Sequence, residues 1–124
     1  MRQFFKIITI MGIISFNFVQ AQAAELLMFE HRGCIACKQF KAEVLPDYKL
    51  SEIGKNLPIR SIVQGDTEAL EGLKIKSNAF YYSPTFILVQ DGVEIARIRG
   101  YLGKDKFWVQ INNLYASRID QIKS

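Results

Sequence analysis

The spacing of apolar residues predicts a chain that alternates between strands and helices. A short continuous apolar run at residues 26–29 is typical of a buried strand, and a glycine follows it closely. Beyond that glycine, apolar residues recur every three or four positions, at Cys37, Phe40 and Val44, which indicates a helix. Pro46 is expected to end or kink this helix, because proline cannot donate the backbone hydrogen bond that continues it.

The second half of the chain predicts two further strands in a hairpin and a final helix. Residues 85–89 are apolar on both faces, as expected for a central strand. Asp91-Gly92 then favours a tight hairpin turn, which needs positive φ at both central residues. The segments predicted after Pro46 are one or two helical turns near residues 50–57, a strand at 59–63, a short helix from Asp66 or Thr67 to Leu73, the hairpin strands 85–89 and 93–99, and a helix ending near residue 122.

The resulting order β-α-β-α-β-β-α belongs to the α/β class. Two strands joined through a helix are expected to pair in parallel, whereas the last two form an antiparallel hairpin. We therefore predict a mixed four-stranded sheet with helices on both faces.

The N-terminal segment has the three parts of a secretory signal peptide. Two positive charges in residues 1–6 precede 13 uncharged, largely apolar residues at 7–19, and the small residues of Ala21-Gln22-Ala23 follow. The apolar run is shorter than the roughly 18 to 20 residues that span a bilayer. We expect cleavage of residues 1–23, leaving a mature domain at 24–124 with no stable membrane insertion, in a compartment that permits disulfides.

Composition excludes several classes of protein. The 124 residues are 49% hydrophobic and 23% charged, which is typical of a single globular domain. The formal net charge is +4, but two of the positive charges lie in the predicted signal peptide, so we expect no nucleic-acid partner. Two cysteines and one histidine cannot form a disulfide framework or a closed four-ligand zinc site within one chain.

Cys34 and Cys37 are the candidate catalytic residues. Cys34 is expected at a helix N-terminus, where unpaired N–H groups and the helix dipole stabilise a thiolate. Cys37 lies one turn along and points back toward Cys34, so the pair can form and break a disulfide without a large backbone movement. We expect Cys34 to attack the disulfide of a partner protein and Cys37 to resolve the mixed disulfide.

Three other interpretations of the pair are open at this stage. A structural disulfide is one, although closing so short a loop stabilises a protein by only about 2 kcal/mol. Binding of a soft metal ion such as Cu(I) by Cys34, Cys37 and His31 is another. The third is an incidental pair of buried thiols.

The Cys34-Ile35-Ala36-Cys37 motif is followed by Ser83-Pro84-Thr85 before the third predicted strand, by the Asp-Gly hairpin and by the final helix. Together these features resemble the thioredoxin superfamily over residues 25–122. The resemblance implies a minimal thioredoxin fold and thiol–disulfide oxidoreductase activity on a protein disulfide, without a cofactor or metal. It also implies that Pro84 follows a cis peptide bond facing the cysteines, and that Ser83 binds the partner through its backbone. We expect a monomer.

A narrower group shares more of the sequence. Residues 29–37 (FEHRGCIAC), 83–86 (SPTF) and 100–103 (GYLG), with Phe107-Trp108, resemble the small periplasmic thioredoxin-like proteins of bacterial sulfur-oxidation (Sox) clusters. That resemblance implies a periplasmic reductant that keeps a sulfur carrier or related partner active, with electrons from a membrane thiol-transfer protein. A disulfide oxidant or isomerase on the same fold is the alternative.

The chain departs from the usual thioredoxin pattern at three places. Gly33 replaces the tryptophan before the first cysteine, and Ile35-Ala36 replaces Gly-Pro between the cysteines. Met28 stands where thioredoxins bury an acid that accepts a proton from the resolving thiol. Glu30, two residues on, is a candidate substitute; the alternative is a solvated charge at a strand end.

Two further features have two interpretations each. His31 can stabilise the Cys34 thiolate when protonated, or it can be an exposed loop histidine without a catalytic part. The aromatic run Phe80-Tyr81-Tyr82 can form an apolar rim for a partner protein or pack beneath the preceding segment.

The predicted signal peptide gives a direct test. In its native exporting host, the protein is expected to be recovered with Ala24 as its first residue, because the Ala-x-Ala pattern precedes it. Intact-mass measurement of the exported form checks this, and a mass that includes residues 1–23 would contradict it.

Overall fold

The computed structural model describes residues 24–123, so the predicted signal peptide at 1–23 and Ser124 lie outside the described residues. Among those residues, no helix is both long and apolar enough to cross a bilayer. The elements in chain order are β1 (Glu25–Glu30), α1 (Ile35–Glu43), α2 (Leu45–Leu50), α3 (Glu52–Asn56), β2 (Ile59–Val63), a 3₁₀ helix (Glu68–Leu70), β3 (Thr85–Gln90), β4 (Val93–Arg99) and α4 (Lys104–Lys123).

The four strands form one mixed sheet in the order β2-β1-β3-β4. β1 pairs in parallel with β2 and antiparallel with β3, and β3 and β4 form an antiparallel hairpin. The hairpin turn has φ of 52° at Asp91 and 78° at Gly92, as that dipeptide predicts. The predicted fold class and the pairing of its strands are confirmed.

One face of the sheet packs against α1 and α4. Phe40 of α1 is fully buried, with its ring centroid 4.7 Å from Phe86 of β3 and 4.9 Å from Phe107 of α4. The Tyr101 ring meets it edge-on at 5.6 Å. Cys37 belongs to the same buried cluster, so aromatic packing holds the helix that carries both cysteines against the sheet.

The other face is covered by residues 66–82, which form less helix than the pattern predicts. Thr67 is the N-cap residue and makes no side-chain cap bond, while the preceding Asp66 accepts the Ala69 N–H on its Oδ1 at 3.2 Å. The helix is a single 3₁₀ turn that ends at Leu70. Beyond it, the Lys74 N–H donates to the Gly92 carbonyl at 2.7 Å. Backbone pairing with the hairpin therefore replaces the helical bonds that a longer helix would make.

The chain between α1 and β2 forms two short helices. Pro46 lies in the first turn of α2, where its missing N–H costs nothing, so α1 ends before it as predicted. Tyr48 of α2 is fully buried, and its hydroxyl donates to the Leu57 carbonyl at 2.7 Å. Gly54 of α3 packs so closely that an added β-carbon would lie 1.8 Å from the Tyr48 carbonyl oxygen.

Substituting Gly54→Ala tests this close approach. Helix propensity alone predicts stabilisation by about 1 kcal/mol. The steric overlap with a backbone carbonyl instead predicts a loss of about 1–3 kcal/mol or more, because α2 and α3 must move apart. We expect the melting temperature to fall by several degrees, at about 4–8 °C per kcal/mol for a domain of this size.

Thermal unfolding followed by circular dichroism measures the change. Lys55→Ala, at an exposed position in the same helix, is the matched control and should melt close to the unmodified protein. A Gly54→Ala protein that melts at or above the control would show that the packing is looser than described.

Candidate functional site

The two cysteines lie at the N-terminus of α1 and are joined as a disulfide, with their Cα atoms 5.2 Å apart. Cys34 is the N-cap residue, and its Sγ accepts the Cys37 N–H at 3.1 Å. Cys34 is partly exposed, whereas Cys37 is only 1% exposed. The geometry therefore presents one sulfur to solvent and places the other behind it.

The turn that leads into α1 requires a glycine. Gly33 has φ of 78°, in the left-handed region where a side chain is strained, although an added β-carbon would meet no atom within 4 Å. The Cys34 N–H closes this turn on the His31 carbonyl at 3.3 Å. Backbone conformation, rather than lack of space, explains why a glycine stands at this position.

Ser83 contacts Cys37 and is followed by Pro84. The peptide bond between them is cis, which confirms the expectation drawn from the resemblance. The Ser83 Oγ lies 3.3 Å from the Cys37 Sγ, although 46 residues separate them in the chain. The Gly100 N–H donates to the Pro84 carbonyl at 2.7 Å, so the loop after β4 is also tied to this point.

His31 is bonded on both ring nitrogens and on its backbone. Its Nε2 lies 2.6 Å from the Phe80 carbonyl oxygen, which can only accept, so Nε2 carries a proton. Its Nδ1 lies 2.5 Å from the terminal amide of the Gln64 side chain. Its backbone N–H donates to the Ser83 Oγ at 3.0 Å. The His31 ring therefore contacts Gln64 and Phe80, and not the Cys34 sulfur whose thiolate one interpretation of the sequence had it stabilise.

Glu30 ends β1 as a buried carboxylate, 7% exposed. The Lys41 Nζ lies 2.7 Å from one of its oxygens, and the Ser61 hydroxyl donates to the other. The interpretation of Glu30 as a solvated strand-end charge is therefore wrong. Lys41 follows Cys37 by one helical turn, so this ion pair joins β1 and β2 to the helix that carries the cysteines.

The aromatic residues before Ser83 do not share one environment, since Phe80 packs in the protein whereas Tyr81 and Tyr82 face solvent. Phe80 is half-buried, and its ring meets Phe29 edge-on at a centroid distance of 5.0 Å. Tyr81 and Tyr82 are exposed, at 75% and 50%. Large exposed apolar side chains are Ile35 at the first position of α1, Tyr81 and Tyr82 before Pro84, and Leu102 in the loop after β4.

Sequence reasoning missed Gln64, Lys41 and Ser61 as neighbours of the site residues. Gln64 directly follows β2, and β2 runs parallel to β1. The carboxyl ends of parallel strands meet at the same edge of a sheet, which is a signal that could have placed Gln64 beside His31. Lys41 carries no comparable signal, because its contact with Glu30 depends on how α1 crosses the sheet. The Ser61 contact depends on the parallel register of β1 and β2.

The soft-metal interpretation needs the two thiols and the His31 ring to share one ion. Within residues 24–123, no three side chains of the metal-ligating types lie together. The His31 ring is instead bonded to Gln64 and Phe80, so the structure does not assemble that ligand set.

A family model described as a thioredoxin-like domain matches residues 17–114. No curated protein sequence matches the chain significantly. The chain is similar to the crystal structure of the periplasmic thioredoxin SoxS from Paracoccus pantotrophus in its reduced form, with 31% identity and a TM-score of 0.63 over 75% of this chain and 96% of that one.

Two further thioredoxins of known structure are also similar. A poplar thioredoxin h is 25% identical, with a TM-score of 0.51 over 74% of this chain and 76% of that one. Thioredoxin f2 of Chlamydomonas reinhardtii is 25% identical, with a TM-score of 0.50 over 76% and 81% of the two chains. With its mixed sheet and its Cys-x-x-Cys pair at the start of α1, the chain belongs to the thioredoxin-like family and is a thiol–disulfide oxidoreductase.

Proposed function

We propose that the protein is a periplasmic reductant of disulfide bonds in partner proteins, with Cys34 as the nucleophile and Cys37 as the resolving thiol. The observation that carries this proposal is the placement of the two sulfurs. Cys34 is partly exposed at the N-cap of α1, where N–H groups and the helix dipole favour its thiolate. Cys37 is buried directly behind it, within bonding distance of the same sulfur.

The reaction takes two exchange steps from the reduced protein. The Cys34 thiolate attacks one sulfur of the partner disulfide, so a mixed disulfide forms and the other partner sulfur leaves as a thiolate. The Cys37 thiolate then attacks the Cys34 Sγ, the mixed disulfide breaks, and the second partner sulfur leaves. Two electrons pass to the partner, whose thiolates take up the protons that the two cysteines release.

The partner is bound across Ser83 and Pro84 and the apolar side chains around them. Ser83 lies two residues before β3, and its Oγ is 3.3 Å from the Cys37 Sγ. We assign its backbone the pairing with an extended segment of the partner. Ile35, Tyr81 and Leu102 are exposed at 72%, 75% and 67%. We assign these exposed apolar side chains to contact with the partner, since contiguous apolar surface is typical of protein-binding sites.

Two observations support a periplasmic role in sulfur oxidation. The N-terminal sequence has the order of a secretory signal peptide, and the chain is similar to the periplasmic thioredoxin SoxS. A protein that reduces its partners in an oxidising compartment must itself be re-reduced. We assign that step to a thiol-transfer protein of the membrane, and the substrate to a sulfur carrier or a related partner.

The two cysteines are expected to behave differently when each is replaced. Cys37→Ser should accumulate mixed disulfides with an oxidised protein substrate such as insulin, because Cys34 can attack but nothing resolves the product. Cys34→Ser is the matched control and should accumulate few, since the remaining Cys37 is buried. Non-reducing gels measure both, and equal accumulation by the two variants would overturn the assignment of roles.

The direction of electron flow is set by how strongly the Cys34 thiolate is stabilised. Its Sγ accepts the Cys37 N–H, and the two residues between the cysteines are apolar, so we expect moderate stabilisation. The couple should then have a potential below about −200 mV, toward the reducing end of the thioredoxin-fold range. Equilibration in glutathione buffers, followed by alkylation of free thiols, gives the value. A potential near −120 mV would make the protein an oxidant.

A further inference from the structure

A chain of hydrogen bonds runs from the end of β1 to the buried cysteine. The His31 backbone N–H lies 3.0 Å from the Ser83 Oγ, and that oxygen lies 3.3 Å from the Cys37 Sγ. A backbone N–H can only donate, so the Ser83 oxygen is the acceptor of the first bond. Its own hydrogen remains free to be donated to the Cys37 sulfur.

The segment that carries Ser83 is held at two points by the same residue. The His31 Nε2–H donates to the Phe80 carbonyl at 2.6 Å, three residues before Ser83, while the His31 backbone binds Ser83 itself. Gln64 lies 2.5 Å from the other ring nitrogen and fixes the orientation of the imidazole. His31 therefore spans both ends of residues 80–83 and sets where the Ser83 hydroxyl lies.

We propose that the Ser83 side chain stabilises the Cys37 thiolate in the resolving step, and that His31 is the positioning residue that holds Ser83 in place. The inference rests on the proposed function, since it concerns the second exchange step. In that step the Cys37 thiolate, having lost its proton to solvent, attacks the Cys34 Sγ and displaces the partner thiolate. A hydroxyl that donates to the thiolate raises the fraction of Cys37 that is ionised and ready to attack.

The side chain and the backbone of Ser83 then have different roles. In the proposed function the Ser83 backbone binds the partner, whereas the Ser83 hydroxyl acts on the protein's own buried sulfur. His31 also has a role without contact to Cys34, because its ring and its N–H both act on residues 80–83.

The two exchange steps can be timed separately with Ellman's reagent, an aromatic disulfide that releases one coloured thiolate per step. The first release is second-order and reports attack by Cys34. The second is first-order and reports displacement by Cys37. A loss of hydrogen bonding to the Cys37 thiolate slows only the second release, whereas a general distortion of the site slows both.

Ser83→Ala is expected to slow the second release about threefold to tenfold at neutral pH. A lost bond to a charged group lowers the thiolate fraction by about ten- to a hundredfold, and the higher nucleophilicity of the less stabilised thiolate offsets part of this. The first release, which Cys34 makes, should lose less than the second, so the ratio of the two rates reports the effect on Cys37. Ser83→Thr, which keeps the hydroxyl, is the matched control and should restore the second rate.

His31→Phe keeps a flat ring and removes both ring bonds, so it should also slow the second release. The double variant His31→Phe with Ser83→Ala should be no slower than Ser83→Ala alone, because His31 acts through Ser83. Additive losses, or a normal second rate in His31→Phe, would overturn the positioning role of His31.

The remaining outcomes separate this inference from the proposed function. A normal second rate in Ser83→Ala, or an equal loss in both rates, would overturn the role of the Ser83 hydroxyl while leaving the exchange mechanism intact. Absence of any second release from the unmodified protein would instead show that Cys37 does not resolve the mixed disulfide, which would overturn the proposed function itself.

Discussion

The antiparallel pairing of β1 with β3 is the constraint on which the site depends. Phe29, one residue from the end of β1, pairs with Thr85, the first residue of β3. Residues that follow β1 therefore meet residues that precede β3, which brings Cys37 to Ser83. Both strands are buried on both faces, so a slip of one residue would exchange the side chains packed against α1 and α4 with those packed against residues 66–82, and packing of the two clusters also fixes the site.

The polar groups at this edge of the sheet are bonded by residues from several elements. Glu30 is buried against Lys41 of α1 and Ser61 of β2, and the His31 ring lies between Gln64 and Phe80. A buried carboxylate without a partner would cost several kcal/mol, so the Lys41 bond is a condition for burying Glu30. Such bonds make the edge rigid, and a rigid edge keeps the distance between the Ser83 hydroxyl and the Cys37 sulfur short.

The departures from the usual thioredoxin pattern leave the geometry of the cysteine pair intact. Gly33 adopts the left-handed backbone conformation of the turn before the N-cap, and the Cys34 Sγ accepts the Cys37 N–H. Met28 occupies the place of the usual buried acid and packs in the core, while the carboxylate of Glu30 is held nearby on the same strand by Lys41.

The sequence by itself determined the order of the elements, the hairpin and the placement of Cys34 at a helix start. These features depend on local periodicity and turn chemistry, which act within a few residues. The tertiary structure decided the remaining features, because each depends on contacts across the fold. Pairing with the hairpin shortened the expected helix after Asp66 to one 3₁₀ turn, Lys41 of α1 held Glu30 buried, and the His31 ring was directed to Phe80, 49 residues away.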